Sequence, residues 1–69
     1  MVIRYRVKLA DPHGRWKAGE VGVALHNDFR GKYDVKLDFG PTTASLLGQG
    51  VKTYRRIYYF VLDEVEEIP

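Results

Sequence analysis

Cysteine is absent from this 69-residue sequence, and histidine occurs only twice. Without cysteine there is no disulfide framework, no thiolate zinc site and no cysteine nucleophile. His13 and His26 lie at or beside predicted turns, and a catalytic zinc ion usually needs three protein ligands. No serine lies in a nucleophile elbow, and no glycine-rich phosphate loop precedes a helix. The sequence therefore predicts a non-catalytic protein with no metal and no cofactor.

Long apolar segments are also missing. No run approaches the roughly 20 residues that cross a bilayer, and residues 1–6 carry charges where a signal peptide needs an apolar stretch. The lack of cysteine fits a reducing compartment. We therefore expect a cytoplasmic protein without membrane insertion. A chain of this length suffices for one domain, spanning residues 1–69.

Charge is unevenly distributed along the chain, although the net charge is only +2. Residues 1–62 carry all eleven lysines and arginines and five acids, whereas residues 63–69 carry four acids and no base. A basic body favours an anionic partner, either a nucleic acid or an acidic protein surface. Solubility alone is an equally good explanation of the same charge.

Residues 2–9 alternate between apolar and basic side chains. A period of two over this length predicts a half-buried strand, with one face packed and the other in solvent. The apolar side chains are Ile3, Tyr5, Val7 and Leu9, and the basic ones are Arg4, Arg6 and Lys8.

Four further strands are predicted over residues 20–26, 33–39, 54–62 and 65–68, from alternation or from enrichment in aromatic and β-branched residues. Turn residues separate them, and no helical period is long enough for a helix of ordinary length. Five short strands in about 65 residues are too few for a two-sheet sandwich of ordinary size. They can close into a small barrel, which removes exposed edges.

Residues 41–52 resemble no strand, because they combine Pro41, two glycines and several small polar residues around Leu46 and Leu47. The sequence predicts a long loop here, and loops of this length are often functional. If the loop stands free, the two leucines would be an exposed apolar pair and a candidate anchor for a partner. Alternatively, they fold back over one end of the barrel.

Basic residues alternate with aromatic ones in several places, as in sites that bind single-stranded nucleic acids. The alternative is that the aromatic rings fill the core and the basic side chains lie at its rim. Together with the two leucines, these residues form the candidate partner-binding set. They are Arg4, Arg6, Lys8, Arg15, Trp16, Lys17, Leu46, Leu47, Arg55 and Arg56.

Three stretches of the chain form a familiar pattern. Pro12 and Trp16 precede Glu-Val-Gly-Val-Ala at 20–24, Lys32-Tyr33 begins a strand that ends in Phe39, and residues 59–66 read Tyr-Phe-Val-Leu-Asp-Glu-Val-Glu. These stretches resemble the opening, third strand and closing stretch of photosystem I reaction-centre subunit IV. The resemblance covers most of residues 7–68. It implies an SH3-like barrel, the fold also found in the variable chain of ferredoxin–thioredoxin reductase. Asp38 stands where subunit IV has a basic residue that contacts ferredoxin.

The resemblance implies a docking or accessory module of a larger complex, which positions an acidic electron carrier such as ferredoxin and holds no cofactor. Such a module would lie at the membrane periphery. Two alternatives remain open: a nucleic acid-binding barrel that uses the basic strand and Trp16, and a barrel from a phage or mobile element with another protein partner. A small barrel that becomes an enzyme by assembly has no specific support in the residues.

Overall fold

The computed structural model describes residues 2–29, 31–46 and 50–69, with the side chains at 44–46 left out. It contains five strands: β1 (Arg4–Val7), β2 (Val21–Leu25), β3 (Val35–Leu46), β4 (Gly50–Phe60) and β5 (Val65–Ile68). A single 3₁₀ turn at Leu62–Glu64 precedes β5. The all-β class is therefore confirmed. In the described part of the chain, no helix is long and apolar enough to cross a membrane.

The five strands form one antiparallel sheet in the order β4-β3-β2-β1-β5. Closure into a barrel would require β4 to pair with β5, and the pairings of the described residues do not include this one. The first strand lies inside the sheet because β2 and β5 flank it. Arg4 is level with Val23 on one side and with Ile68 on the other.

Alternation gives the sheet two distinct faces. The inner face carries a core of fully or almost fully buried side chains, against which Tyr5, Trp16, Ala24, Phe39 and Tyr58 pack. On the outer face lie Arg4 and Arg6, and this matches the sequence prediction for β1. The buried core consists of Val7, Val35, Leu37, Phe60 and Val65.

The loop predicted at residues 41–52 is wrong for the residues that the structure describes. Residues 41–46 belong to β3 and pair with residues 50–55 of β4, so that the two strands form a two-stranded ribbon, here called the arm. Pro41 is accommodated because a bulge lies between Asp38 and Pro41, where Gly40 has a φ of 96°. The small polar residues were misleading, because threonine is β-branched and favours strands.

The arm extends beyond the rest of the sheet. Strand β2 pairs with β3 only at residues 36–38, so the paired segments 41–46 and 50–55 have no third strand beside them among the described residues. The molecule is correspondingly elongated, with principal extents of 41 × 24 × 23 Å. Of the predicted apolar anchor, Leu46 ends β3 with a side chain outside the described set, and Leu47 lies outside the described residues.

Candidate functional site

The basic side chains of β1, Arg4 and Arg6, lie on the outer face as the alternation predicts, whereas Lys8 follows the strand and lines the pocket described below. Arg4, Arg6 and Lys8 are exposed, and none of them forms an ion pair with a described residue. Their neighbours across the sheet are set by the register: Arg4 is level with Val23, and Arg6 is level with Val21. Residues opposite one another have Cβ atoms about 5 Å apart, so the methylene groups of each arginine side chain lie beside a valine.

The acidic end of the chain lies beside the basic strand. Because β5 pairs with β1, Glu66 is level with Arg6, and Glu67 is level with Tyr5. The Tyr5 hydroxyl donates a long 3.5 Å hydrogen bond to Glu67 Oε1. Partial burial of the phenol, and then the negative charge of Glu67, raise the pKa of Tyr5. The charge separation seen along the sequence is thus partly cancelled in space.

Strand β2 adds an apolar row to the outer face. Val21, Val23 and Leu25 are 36–39% exposed, and they alternate with Gly22 and Ala24, which face the core. Single exposed apolar residues are ordinary on a protein surface. Three in a row beside Arg4 and Arg6 form a mixed surface, in which apolar area and guanidinium groups are available together.

A cluster of three aromatic rings continues this face, and sequence reasoning missed it. Phe29, Tyr33 and Tyr59 lie with ring centroids 5.3–6.0 Å apart. Tyr59 is level with Lys36, which in turn is level with Leu25 on β2, so the cluster adjoins the apolar row. Phe29 and Tyr33 are close in sequence and precede β3, whereas Tyr59 is distant and is brought to them by the register of β3 with β4.

Charged groups surround the aromatic cluster. Lys32 Nζ lies 5.9 Å from the Phe29 ring centroid, and Lys36 Nζ lies 5.5 Å from that of Tyr59. The Tyr59 hydroxyl donates a 2.5 Å hydrogen bond to Asp28 Oδ1, which lowers the pKa of Asp28 and raises that of Tyr59. The rings are therefore held in place, while Phe29 stays 49% exposed.

The Trp16 ring packs against other aromatic rings of the protein and is not free to stack on a nucleic acid base. Its ring lies 4.7 Å from that of Phe60 and 5.3 Å from that of Tyr58, and stacks on Phe39 at 6.4 Å. The indole Nε1–H donates a 3.0 Å hydrogen bond to the Leu9 carbonyl. The predicted nucleic acid site needs this ring free for stacking, and here it covers the inner face of the sheet.

The two basic neighbours of Trp16 have different environments. Arg15 Nε donates a 2.6 Å hydrogen bond to Asp11 Oδ2, and its guanidinium lies 4.9 Å from the Trp16 ring centroid. This contact, together with backbone hydrogen bonds, lowers the pKa of Asp11 to about 2. The Asp11 side chain is only 2% exposed, so the pair fixes the β1–β2 loop. Lys17 is exposed.

Arg56 connects three parts of the fold. Its Nη2 donates a 2.5 Å hydrogen bond to Glu20 Oε1 and a 3.3 Å one to the Phe39 carbonyl, and Nη1 donates to the Arg15 carbonyl at 3.4 Å. The hydrogen bond from Arg56 lowers the pKa of Glu20. Arg56 was predicted to bind a partner, and the structure places it in an internal network.

Arg55 and Asp38 form a second internal pair. Arg55 Nε donates a 2.7 Å hydrogen bond to Asp38 Oδ2, and the backbone N–H of Gly40 donates to Oδ1 at 2.8 Å. The Gly40 N–H and then Arg55 lower the pKa of Asp38, which therefore stays ionised. The Asp38 charge is thus balanced within the protein.

A pocket of about 560 Å³ lies between the β1–β2 loop and the 3₁₀ turn. Leu9, Pro12, Trp16 and Phe60 give it apolar walls, and charged residues of both signs line the rest. Its volume lies within the range of small-ligand sites. It shares only Lys8, Arg15 and Trp16 with the predicted partner-binding set.

No group of three or more potential metal-binding side chains occurs within the described ranges. Comparison of the chain with protein-family models, with curated proteins and with solved structures finds no match.

Proposed function

We propose that this protein is a non-catalytic docking module that binds an acidic surface of another protein through the outer face of its sheet. The observation that carries the proposal is the position of Arg4 and Arg6, which form no ion pair with any residue that the structure describes and lie beside the exposed Val21 and Val23. Arginine and aromatic residues are enriched in protein interfaces, and the energetically dominant residues are often arginine or tyrosine.

The aromatic cluster of Phe29, Tyr33 and Tyr59 extends the same surface. Its rings are fixed by one another and by the hydrogen bond from Tyr59 to Asp28. Ordered aromatic side chains contribute contact area without a large loss of conformational freedom on binding. The two arginines would supply charge complementarity, and the rings and the apolar row would supply contact area.

Nucleic acid binding has weaker support from the same geometry. Trp16 is packed against three rings, and the charges of Arg15, Arg55 and Arg56 are matched by acidic side chains. These contacts reduce the positive potential that nucleic acid binding depends on. Glu66 lies opposite Arg6 and reduces the attraction for either kind of anion, so it does not distinguish the two candidates.

A role like that of photosystem I subunit IV, in which the module helps to position ferredoxin, is one form of this proposal. The internal pairing of Asp38 with Arg55 supports it, because a balanced carboxylate repels an acidic carrier less than a free one would. We propose an SH3-like barrel as the finer description of the fold. Two features support it: the order of the five strands in the sheet, and the β1–β2 loop, whose Trp16 covers the inner face.

The test is a titration of the ¹⁵N-labelled protein with a purified acidic [2Fe–2S] ferredoxin, monitored by NMR at low and physiological ionic strength. We expect shifts at β1, β2 and the aromatic cluster, and a double Arg4→Glu, Arg6→Glu variant should bind at least tenfold more weakly. Lys52→Glu reverses one exposed charge on the arm and should retain most of the affinity, so it is the matched control for the single Arg6→Glu variant, which should lose affinity.

Parallel titrations with single-stranded and double-stranded DNA and RNA complete the experiment. Tight binding to a nucleic acid that weakens steeply with salt, without binding to the acidic protein, would overturn the proposal. A complex that the double variant forms as well as the native protein would also overturn it, since the outer face would then not be the docking surface.

A further inference from the structure

The pocket beside Trp16 lies apart from the outer face and has a chemistry of its own. Its apolar part combines the rings of Trp16 and Phe60 with the side chains of Leu9 and Pro12. The loop that forms one wall is fixed, because the Trp16 indole donates to the Leu9 carbonyl and Asp11 N–H donates to the Trp16 carbonyl at 3.1 Å. The walls are therefore preformed in the unliganded protein.

Charges at the pocket are not balanced. Arg15 and Asp11 neutralise each other through the 2.6 Å contact between them. This leaves Lys8 as one cation against the carboxylates of Asp63 and Glu64. Glu64 is oriented by the Val61 N–H, which donates to its Oε1 at 3.1 Å, and Asp63 forms no ion pair with a described residue. One rim of an apolar pocket thus carries excess negative charge.

We propose that this pocket binds a cationic group carried on an apolar stem, which is the chemistry of an arginine or lysine side chain of a partner polypeptide. The stem would pack against Leu9, Pro12 and the aromatic rings, and the cation would lie at the rim formed by Asp63 and Glu64. Long basic side chains commonly combine these two environments, burying the methylene groups and keeping the charge near water.

The contact between Arg15 and Trp16 shows that this part of the fold accepts a guanidinium beside an aromatic ring. The Arg15 guanidinium lies 4.9 Å from the Trp16 centroid and 5.3 Å from that of Tyr58. Attraction between a cation and an aromatic ring is strongest for tryptophan. A second cation would use the carboxylates of the 3₁₀ turn, because Asp11 is already engaged by Arg15.

The experiment uses N-acetyl-arginine amide as the probe and N-acetyl-citrulline amide as its neutral isostere. Binding is followed by the fluorescence of Trp16, the only tryptophan, and by the NMR signals of its indole N–H and of residues 62–64. We expect saturable shifts with a dissociation constant on the order of millimolar, as befits a single small side chain. Citrulline amide should bind at least tenfold more weakly.

Two variants locate the site. Asp63→Asn should weaken binding of the arginine probe severalfold, whereas Glu66→Gln, which removes the same charge from the neighbouring strand, should leave it unchanged. Equal binding of the two probes would overturn the proposal, and so would an undiminished affinity in Asp63→Asn. Because the probe is not an acidic protein, the result is independent of docking at the outer face.

Discussion

The strands β3 and β4 have different surroundings at their two ends. Near Val35 and Phe60, β3 and β4 form part of the sheet and contribute buried side chains to the core. Beyond the bulge they continue as the arm, where Val51 and Tyr54 are 69% and 53% exposed. Backbone pairing is continuous apart from the bulge, so the difference lies in what packs against the strands.

A two-stranded ribbon without further packing is at best marginally stable in water. The rest of the sheet, here called the body of the fold, avoids this problem because Trp16 and its loop cover its inner face. We therefore expect the free energy of local opening to fall from the body toward the end of the arm. Amide protection should follow the same gradient, since hydrogen exchange reports local opening.

The largest expected effect comes from removing a ring at the centre of the body. Phe60 is 1% exposed and lies in contact with the Trp16 and Phe39 rings. Phe60→Ala should cost about 3–5 kcal/mol, a large part of the total stability of so small a domain. Urea denaturation followed by circular dichroism should show a mostly unfolded protein, and a native-like midpoint would contradict the described core.

A smaller loss is expected at Gly22, where β2 packs closely against the side chains of β3. A Cβ atom on Gly22 would lie 3.0 Å from Leu37 Cβ and 3.1 Å from Phe39 Cε1. Gly22→Ala should therefore lower the free energy of unfolding by about 1–3 kcal/mol, as overpacking does. The free energy of unfolding is measured by urea denaturation. The Ala24→Gly variant, on the same face of β2, is measured in the same way for comparison. A more stable Gly22→Ala protein would show that β2 and β3 are less closely packed.

Acid should loosen the β1–β2 loop through Asp11. Its folded pKa of about 2 lies below the ordinary value of 3.8, so its pairing with Arg15 stabilises the fold above about pH 4. That contribution is lost as the pH falls toward 2. In Asp11→Asn, the stability measured by Trp16 fluorescence should fall less steeply between pH 4 and pH 2. An unchanged slope would show that other carboxylates carry the acid sensitivity.

The smallest effect is expected in the arm. Tyr54→Ala and Val51→Ser replace exposed side chains and should change global stability by no more than about 0.5 kcal/mol. Native-state hydrogen exchange should show faster exchange at residues 42–45 and 51–54 than at residues 35–37. Equal protection in both segments would mean that the arm opens only with the whole domain.

Much of the fold could be predicted from local sequence. The strands β1, β2 and the first part of β3, and the orientation of Arg4 and Arg6 toward solvent, follow from a period of two, whereas β4 follows from its enrichment in aromatic and β-branched residues. The period does not by itself say which face is buried, because Val21, Val23 and Leu25 are on the exposed face of β2. The arm could not be predicted in this way, since Thr42 and Thr43 pair with β4 without burying an apolar face. The internal partners of Arg55 and Arg56 and the aromatic cluster depend on strand register, which local sequence does not specify.

The pairing of the first strand with the last has a consequence for how the protein folds. Arg4 lies level with Ile68, so β1 gains its second neighbour only after 64 further residues have been synthesised. Contacts of such long separation in sequence delay folding, because the chain must lose conformational freedom before they form. Until β5 arrives, one edge of β1 remains open to other strands, and emergence of the acidic segment completes the sheet.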